Sequence, residues 1–123
     1  MTPRYRLTKP AIQDIEQIAD YIARQSDLAQ SEVFLSKLDA KFAQIAQFPR
    51  LGRQRDEILP GIRSLSIDNY LILYMPIGQD VENMPIGQDV EIFRVVSGYR
   101  DIKALFHDSD SWYSLLTLTL PLA

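Results

Sequence analysis

The 123-residue chain contains no cysteine and a single histidine, His107. The absence of cysteine excludes a disulfide framework, a thiol nucleophile and thiolate metal ligands, and one histidine cannot form a multi-histidine zinc site. The five glycines are dispersed, so the sequence has no glycine-rich phosphate-binding loop. No apolar run reaches the roughly 20 residues that span a bilayer, and the start lacks the apolar segment of a signal peptide. We therefore expect a cytoplasmic protein without a membrane segment, a metal or another cofactor.

The chain also lacks an excess of positive charge, since 13 lysines and arginines stand against 16 aspartates and glutamates, for a net charge of −3. A protein that binds nucleic acid by neutralising phosphates usually carries such an excess, so we expect no strong direct nucleic-acid binding. Four arginines nevertheless fall within fourteen residues: Arg50, Arg53, Arg55 and Arg63. They form either a local basic surface or a solvated loop after a helix, and the sequence leaves both interpretations open.

The remaining composition, 46% hydrophobic and 24% charged residues, is typical of a soluble globular protein, and the length suits one domain. Residues 4–8 alternate between polar and apolar side chains, which predicts a short strand. Thr8 is then a suitable N-cap for a helix with Pro10 in its first turn. Isoleucines at helical spacing carry this helix to residues 24–26.

A second amphipathic helix is predicted to begin after Asp27, which has capping-box spacing to Gln30, and to stop at Pro49 and Gly52. The two helices should pack as an antiparallel hairpin because the link between them is short. Three strands are predicted to follow, at residues 62–67, 70–75 and 90–96. The nearly continuous apolar run of the second indicates a central strand that is buried on both faces, and Asp68 with Asn69 indicates a turn before it.

Two features interrupt this pattern. Residues 75–82 recur unchanged as residues 84–91, which indicates a recent duplication or an artefact that lengthens a hairpin loop and not a solenoid. Residues 107–123 form a C-terminal extension after a domain of residues 1–106. The extension contains an alternating Leu-Thr segment, and it is expected either to be disordered or to add an extra strand, with self-association as a further possibility.

Few side chains suggest a chemical role. His107 has no nucleophile elbow near it, and the carboxylates of Asp14, Glu16 and Asp20 are expected on the solvent side of the first helix. The candidates are the arginines in apolar strands, Arg63 and Arg94, together with Arg100. Arginine holds phosphates or carboxylates through paired hydrogen bonds. The simpler alternative is that each arginine projects into solvent or pairs with an acid such as Glu91 or Asp101.

Four motifs follow one another along residues 4–106: Phe48-Pro49-x-x-Gly52, Gly61-x-Arg63, Tyr70-x-Ile72-x-Tyr74 and Ile92-x-Arg94-Val95-Val96-x-Gly98-x-Arg100-Asp101. This ordered set resembles the RelE/ParE superfamily of type II toxins. The resemblance implies an α+β fold with an N-terminal strand, an antiparallel helical hairpin and a three-stranded antiparallel meander, which agrees with the elements predicted above. It also implies a small antitoxin as partner. RelE-like members cleave mRNA on the ribosome, whereas ParE-like members poison DNA gyrase.

Two departures favour the ParE-like branch. The cleaving members carry an arginine at the position of Leu71 and a tyrosine at the position of Phe106, so two charge-handling groups are missing here. We therefore expect a ParE-like toxin that binds gyrase without catalysis and is neutralised by a ParD-like antitoxin, with a homodimer possible. The candidate active face is Arg63, Arg94, Tyr99 and Arg100, and Tyr99 is a possible substitute for the lost hydroxyl. The alternatives are a ribosome-dependent mRNA interferase and an inactive remnant that only binds antitoxin.

Overall fold

The structure is a computed structural model, and it describes residues 5–77 and 90–97. Tyr99, Arg100, the C-terminal extension and most of the duplicated segment lie outside the described residues. The elements, in chain order, are β1 (Tyr5–Leu7), α1 (Lys9–Gln25), α2 (Leu28–Gln47), β2 (Arg53–Gln54), β3 (Arg63–Ile67), β4 (Tyr70–Pro76) and β5 (Val90–Val96). The predicted α+β class, with a strand, a helical pair and a meander, is confirmed.

Both predicted helix starts are confirmed by their capping bonds. The Thr8 hydroxyl accepts the N–H of Ala11 at 3.1 Å and donates to the Phe93 carbonyl at 2.7 Å, which ties the start of α1 to β5. The Asp27 carboxylate accepts the N–H of Gln30 at 2.8 Å and so begins α2. Each side chain satisfies one of the N–H groups that the first turn of a helix leaves without an intrahelical partner.

The five strands form one mixed sheet in the order β1-β5-β4-β3-β2. β3, β4 and β5 make the predicted antiparallel meander, with β4 at its centre. β1 adds to it in parallel to β5, and the two-residue β2, which the sequence did not indicate, pairs with the start of β3. The turn predicted at Asp68 and Asn69 joins β3 to β4, and Asp68 adopts a positive φ of 51° there.

The sheet carries an apolar core on each of its faces. Side chains from α1 and α2, among them Phe34, Leu38 and Ile45, pack with Ile72 and Tyr74 of β4 on one face. Leu71 and Leu73 of β4 belong to the core on the other face, together with Phe93 and Val96. β4 is therefore buried on both faces, as its continuous apolar run predicts. Within residues 5–77 and 90–97, no helix combines the length and the apolar composition that crossing a bilayer requires.

Candidate functional site

The candidate residues inside the described part of the chain lie on the two strands that flank β4. Arg63 on β3 is paired in register with Tyr74, and Arg94 on β5 is paired with Leu73, the neighbouring residue of β4. Tyr99 and Arg100 lie outside the described residues, so their relation to these arginines stays a prediction. The sheet therefore places Arg63 and Arg94 beside neighbouring residues of β4, and their side chains form hydrogen bonds with different partners.

Arg94 forms a paired salt bridge with Asp14 of α1. Its Nε donates to Oδ2 at 2.6 Å, its Nη2 donates to Oδ1 at 2.8 Å, and the N–H of Val95 also donates to Oδ2, at 3.0 Å. β1 pairs with β5 only as far as Ile92, so the carboxylate takes the place of a strand partner for the N–H of Val95. Charge-assisted bonds of this paired geometry are among the strongest that side chains form.

The prediction that Asp14 lies on a solvated helix face is therefore wrong. Only 12% of its side chain is exposed, against 24% for Arg94. Asp14 lies three residues after the buried Ala11 and four before Ile18, at the border of the apolar stripe, and this position brings it onto β5. The simpler alternative for Arg94, that it pairs with an acid, is confirmed, and the partner is Asp14 of α1, which the sequence did not indicate.

The second polar cluster is built around the fully buried Tyr74 of β4. Its hydroxyl donates to the Pro49 carbonyl at 2.8 Å and accepts the N–H of Gly52 at 2.7 Å. Burial raises the pKa of Tyr74 above its ordinary value, although the Gly52 N–H and the nearby Arg63 oppose this shift. The hydroxyl therefore stays protonated at neutral pH and fixes the loop between α2 and β2.

Arg63 holds the same loop from the next strand. Its Nη1 donates to the carbonyl of Gly52 at 2.7 Å and to that of Arg50 at 3.3 Å. Gly52 has room for no side chain, because a Cβ there would lie 2.6 Å from the Tyr74 hydroxyl oxygen and 2.8 Å from the Ser64 carbonyl oxygen. This explains the glycine of the Phe48-Pro49-x-x-Gly52 motif, since the loop approaches β4 too closely at this position for a residue with a side chain.

The four clustered arginines divide into two structural roles. Arg55 is buried, where its Nε donates to the Ser64 hydroxyl at 3.0 Å and its Nη1 donates to Glu57 at 3.1 Å. Glu57 is exposed, and its own backbone N–H, followed by Arg55, lowers the pKa of its carboxyl. Arg63 is half-buried, whereas Arg50 and Arg53 are exposed. The interpretation of a simple solvated loop therefore holds for only two of the four.

The polar groups described so far support the fold, and a separate question is whether any of them could transfer a proton to a bound substrate. Proton transfer to a bound substrate requires a titratable group within hydrogen-bond reach of it. The Tyr74 hydroxyl is enclosed, and Leu71, at the position where cleaving members carry an arginine, is only 8% exposed. Within residues 5–77 and 90–97, no three acidic or histidine side chains cluster as metal ligands would.

Comparisons with known proteins agree with one another. Residues 5–102 match the family described as the ParE toxin of the type II toxin-antitoxin system, parDE. The chain is 28% identical over 97 residues to the toxin ParE3 of Caulobacter vibrioides, which covers 79% of this chain and 88% of that protein. It is 34% identical over 79 residues to the toxin ParE1 of Mycobacterium tuberculosis, which covers 64% of this chain and 81% of that protein.

The fold is similar to that of a chain from the chromosomal ParDE TA system of P. aeruginosa. The TM-score is 0.59 at 15% sequence identity, and the match covers 78% of this chain and 96% of that chain.

Proposed function

Because this chain belongs to the ParE family of toxins from type II toxin-antitoxin systems, we propose that it inhibits DNA gyrase by binding it and that a ParD-like antitoxin neutralises it. The family match over residues 5–102 is the observation that carries this proposal, since it covers both helices and all five strands of the described residues. The action on gyrase is what the resemblance to ParE-like toxins implies. The antitoxin would bind by laying apolar side chains into a groove or by adding a strand.

The structure supports binding over catalysis through the roles of its polar groups. Arg94 is held by Asp14, and Arg63 holds the carbonyls of the loop before β2. A ribonuclease needs cations and a proton donor converging on one phosphate. The buried Leu71 replaces one of those cations relative to the RelE-like members. These observations favour gyrase over messenger RNA as the target.

Arg63, Arg94, Tyr99 and Arg100 remain the proposed active face. Arg94 would act by holding β5 against α1, directly before the segment that contains the other two candidates. Arg100→Ala and Tyr99→Phe are then expected to weaken gyrase inhibition, and Arg94→Ala to weaken both inhibition and stability. Arg24→Ala, an exposed arginine at the end of α1, is the matched control.

The proposal is tested by co-expressing the chain with the small protein encoded beside it. The complex is purified, the toxin is freed from it, and the toxin is added to a gyrase supercoiling reaction and to a translation reaction. We expect supercoiling to fall without mRNA cleavage, and we expect the partner protein to restore it. Codon-phased mRNA cleavage would assign an mRNA interferase instead. A chain that binds its partner, inhibits neither reaction and leaves growth unimpaired would be an inactive remnant.

A further inference from the structure

The outer edge of β3 is only partly covered by β2. β2 pairs with Arg63 and Ser64, whereas β3 continues to Ile67. Ile67 and Tyr70 close a two-residue turn, so their backbone groups pair across the hairpin and those of Ser66, one residue earlier, point away from β4. Within the described part of the chain, no strand pairs with Ser66 on that outer side. One N–H and one C=O of a sheet edge are therefore available there.

A groove of about 440 Å³ runs beside this edge, between β3 and α2. Its lining residues are Lys37, Ala40, Lys41, Gln44, Ser66, Ile67 and Asp68. The ammonium of Lys37 donates to the two carboxylate oxygens of Asp68, at 2.9 and 3.1 Å. Lys41 lies one helical turn further along and pairs with no acid among the described residues. The groove therefore carries a positive charge that the described residues do not neutralise.

The basic character continues beyond the groove into the loop before β2. The N–H of Phe48 donates to the carbonyl of Gln44 at 2.9 Å, so the groove leads directly into this loop. Phe48 is 56% exposed and Leu51 is 44% exposed, and the side chains of Arg50 and Arg53 are exposed beside them. Because Tyr74 and Arg63 fix the backbone of the loop, these side chains are presented by a rigid support. The edge thus combines two apolar side chains with several cations.

We propose that this edge, from Lys37 and Lys41 to Arg53, binds an acidic segment of the antitoxin that adds to β3 at Ser66 in extended conformation. The charge identifies the occupant, because Lys41, Arg50 and Arg53 form no salt bridge among the described residues and give this edge of a chain with net charge −3 a positive character that complements acidic side chains. The outward backbone groups of the exposed Ser66 can pair with an extended peptide, and Phe48 and Leu51 offer contacts to apolar side chains that a phosphate backbone lacks. The inference rests on the proposed function only in naming the antitoxin as partner.

The lysines also argue against a second copy of this chain as the occupant. Pairing of two β3 edges would bring two copies of Lys41, whose charge the described residues do not neutralise, into one interface, where like charges repel. The same lysines attract an acidic strand. The positive charge of this edge therefore disfavours pairing with a second copy of the chain and favours binding of an acidic antitoxin segment.

The test measures the dissociation constant of the full-length chain with the antitoxin that co-purifies with it, by titration calorimetry at low salt. Lys41→Glu is expected to weaken binding about 10- to 100-fold, and less as NaCl rises from roughly 0.05 to 0.5 M. Ser66→Pro removes the outward N–H and is expected to weaken binding roughly tenfold. Lys9→Glu, at the exposed start of α1 on the β1 side of the sheet, is the charge-matched control and is expected to stay within about twofold.

Independently of the binding measurement, Ser66→Pro also tests whether the N–H of Ser66 points away from β4. Proline is tolerated at an edge strand only where the lost N–H faces away from its neighbour, so the variant must fold and melt cooperatively. Failure to fold would place the N–H of Ser66 toward β4 and would overturn the inference. Unchanged affinity for Lys41→Glu and Ser66→Pro would overturn it while leaving the antitoxin proposal intact. Absence of any complex with the unmodified chain would overturn both, and a homodimer that Ser66→Pro dissociates would make the edge a self-association surface.

Discussion

Removal of the Tyr74 hydroxyl by Tyr74→Phe is the change whose effect the structure defines most sharply. The side chain is fully buried. Its hydroxyl bonds to the Gly52 N–H and to the Pro49 carbonyl, and these two bonds connect β4 to the loop before β2. Phenylalanine keeps the ring in the core and deletes only the oxygen. The apolar packing is therefore unchanged to first order, and the measured effect reports on the two hydrogen bonds.

The expected magnitude follows from what the deletion leaves behind. The N–H of the buried Gly52 loses its partner, which costs about 1–3 kcal/mol of unfolding free energy. The carbonyl of Pro49 is half-buried and can turn partly to water, so its loss adds about 0.5–1.5 kcal/mol. The sum of about 1.5–4.5 kcal/mol is a large fraction of the roughly 5–15 kcal/mol that holds a domain folded.

Urea denaturation followed by circular dichroism measures this loss, and the m-value checks that the two-state transition is preserved. Tyr21→Phe is the matched control, because Tyr21 is 58% exposed and its variant should stay within about 0.5 kcal/mol of the unmodified chain. A loss below about 0.5 kcal/mol for Tyr74→Phe would refute the reasoning, since the loop would then be held by other contacts.

Three further changes have defined outcomes. Gly52→Ala places a Cβ 2.6 Å from the Tyr74 hydroxyl oxygen, so it should cost more than about 2 kcal/mol in urea denaturation, and a loss below 1 kcal/mol would show that the loop can shift. Asp14→Asn breaks the paired bridge and leaves Arg94 partly buried beside a neutral amide, so a loss of about 2–4 kcal/mol is expected, and an unchanged melting temperature would contradict this role. Burial raises the pKa of Glu91 above its ordinary 4.5, so the folded chain binds the proton of this carboxyl more tightly than the unfolded chain does. The folded state therefore loses stability as the pH rises through the raised value. Glu91→Gln should therefore gain stability relative to the unmodified chain at pH 7 and show little gain at about pH 4, and an equal effect at both values would contradict the shift.

The elements that the sequence predicts correctly are those whose signal is local. Thr8 and Asp27 cap helices because a side-chain oxygen reaches an N–H three residues away, and that spacing is visible in the sequence. The central position of β4 follows from its continuous apolar run. The turn at Asp68 follows from residue types that tolerate positive φ.

What the sequence does not reveal depends on partners that are distant along the chain. Asp14 and Arg94 are 80 residues apart, and the polar character of Asp14 alone suggests a solvated face. The Tyr74 hydroxyl reaches a loop 22 to 25 residues earlier, which residue type cannot indicate. β2 is two exposed residues long and shows no alternation, so it was not predicted. The apolar border of α1 was the one signal that could have placed Asp14 toward the sheet.

The central claim, that this ParE-family chain acts by binding gyrase and not by cutting RNA, is tested most directly by titrating freed toxin against a fixed amount of gyrase on supercoiled DNA. We expect gyrase-dependent cleaved DNA to accumulate in proportion to the toxin-to-gyrase ratio, to level off near stoichiometric addition, and to disappear when antitoxin is added. Intact DNA at every ratio, with mRNA cleavage in a translation reaction at toxin amounts far below those of ribosomes, would contradict it.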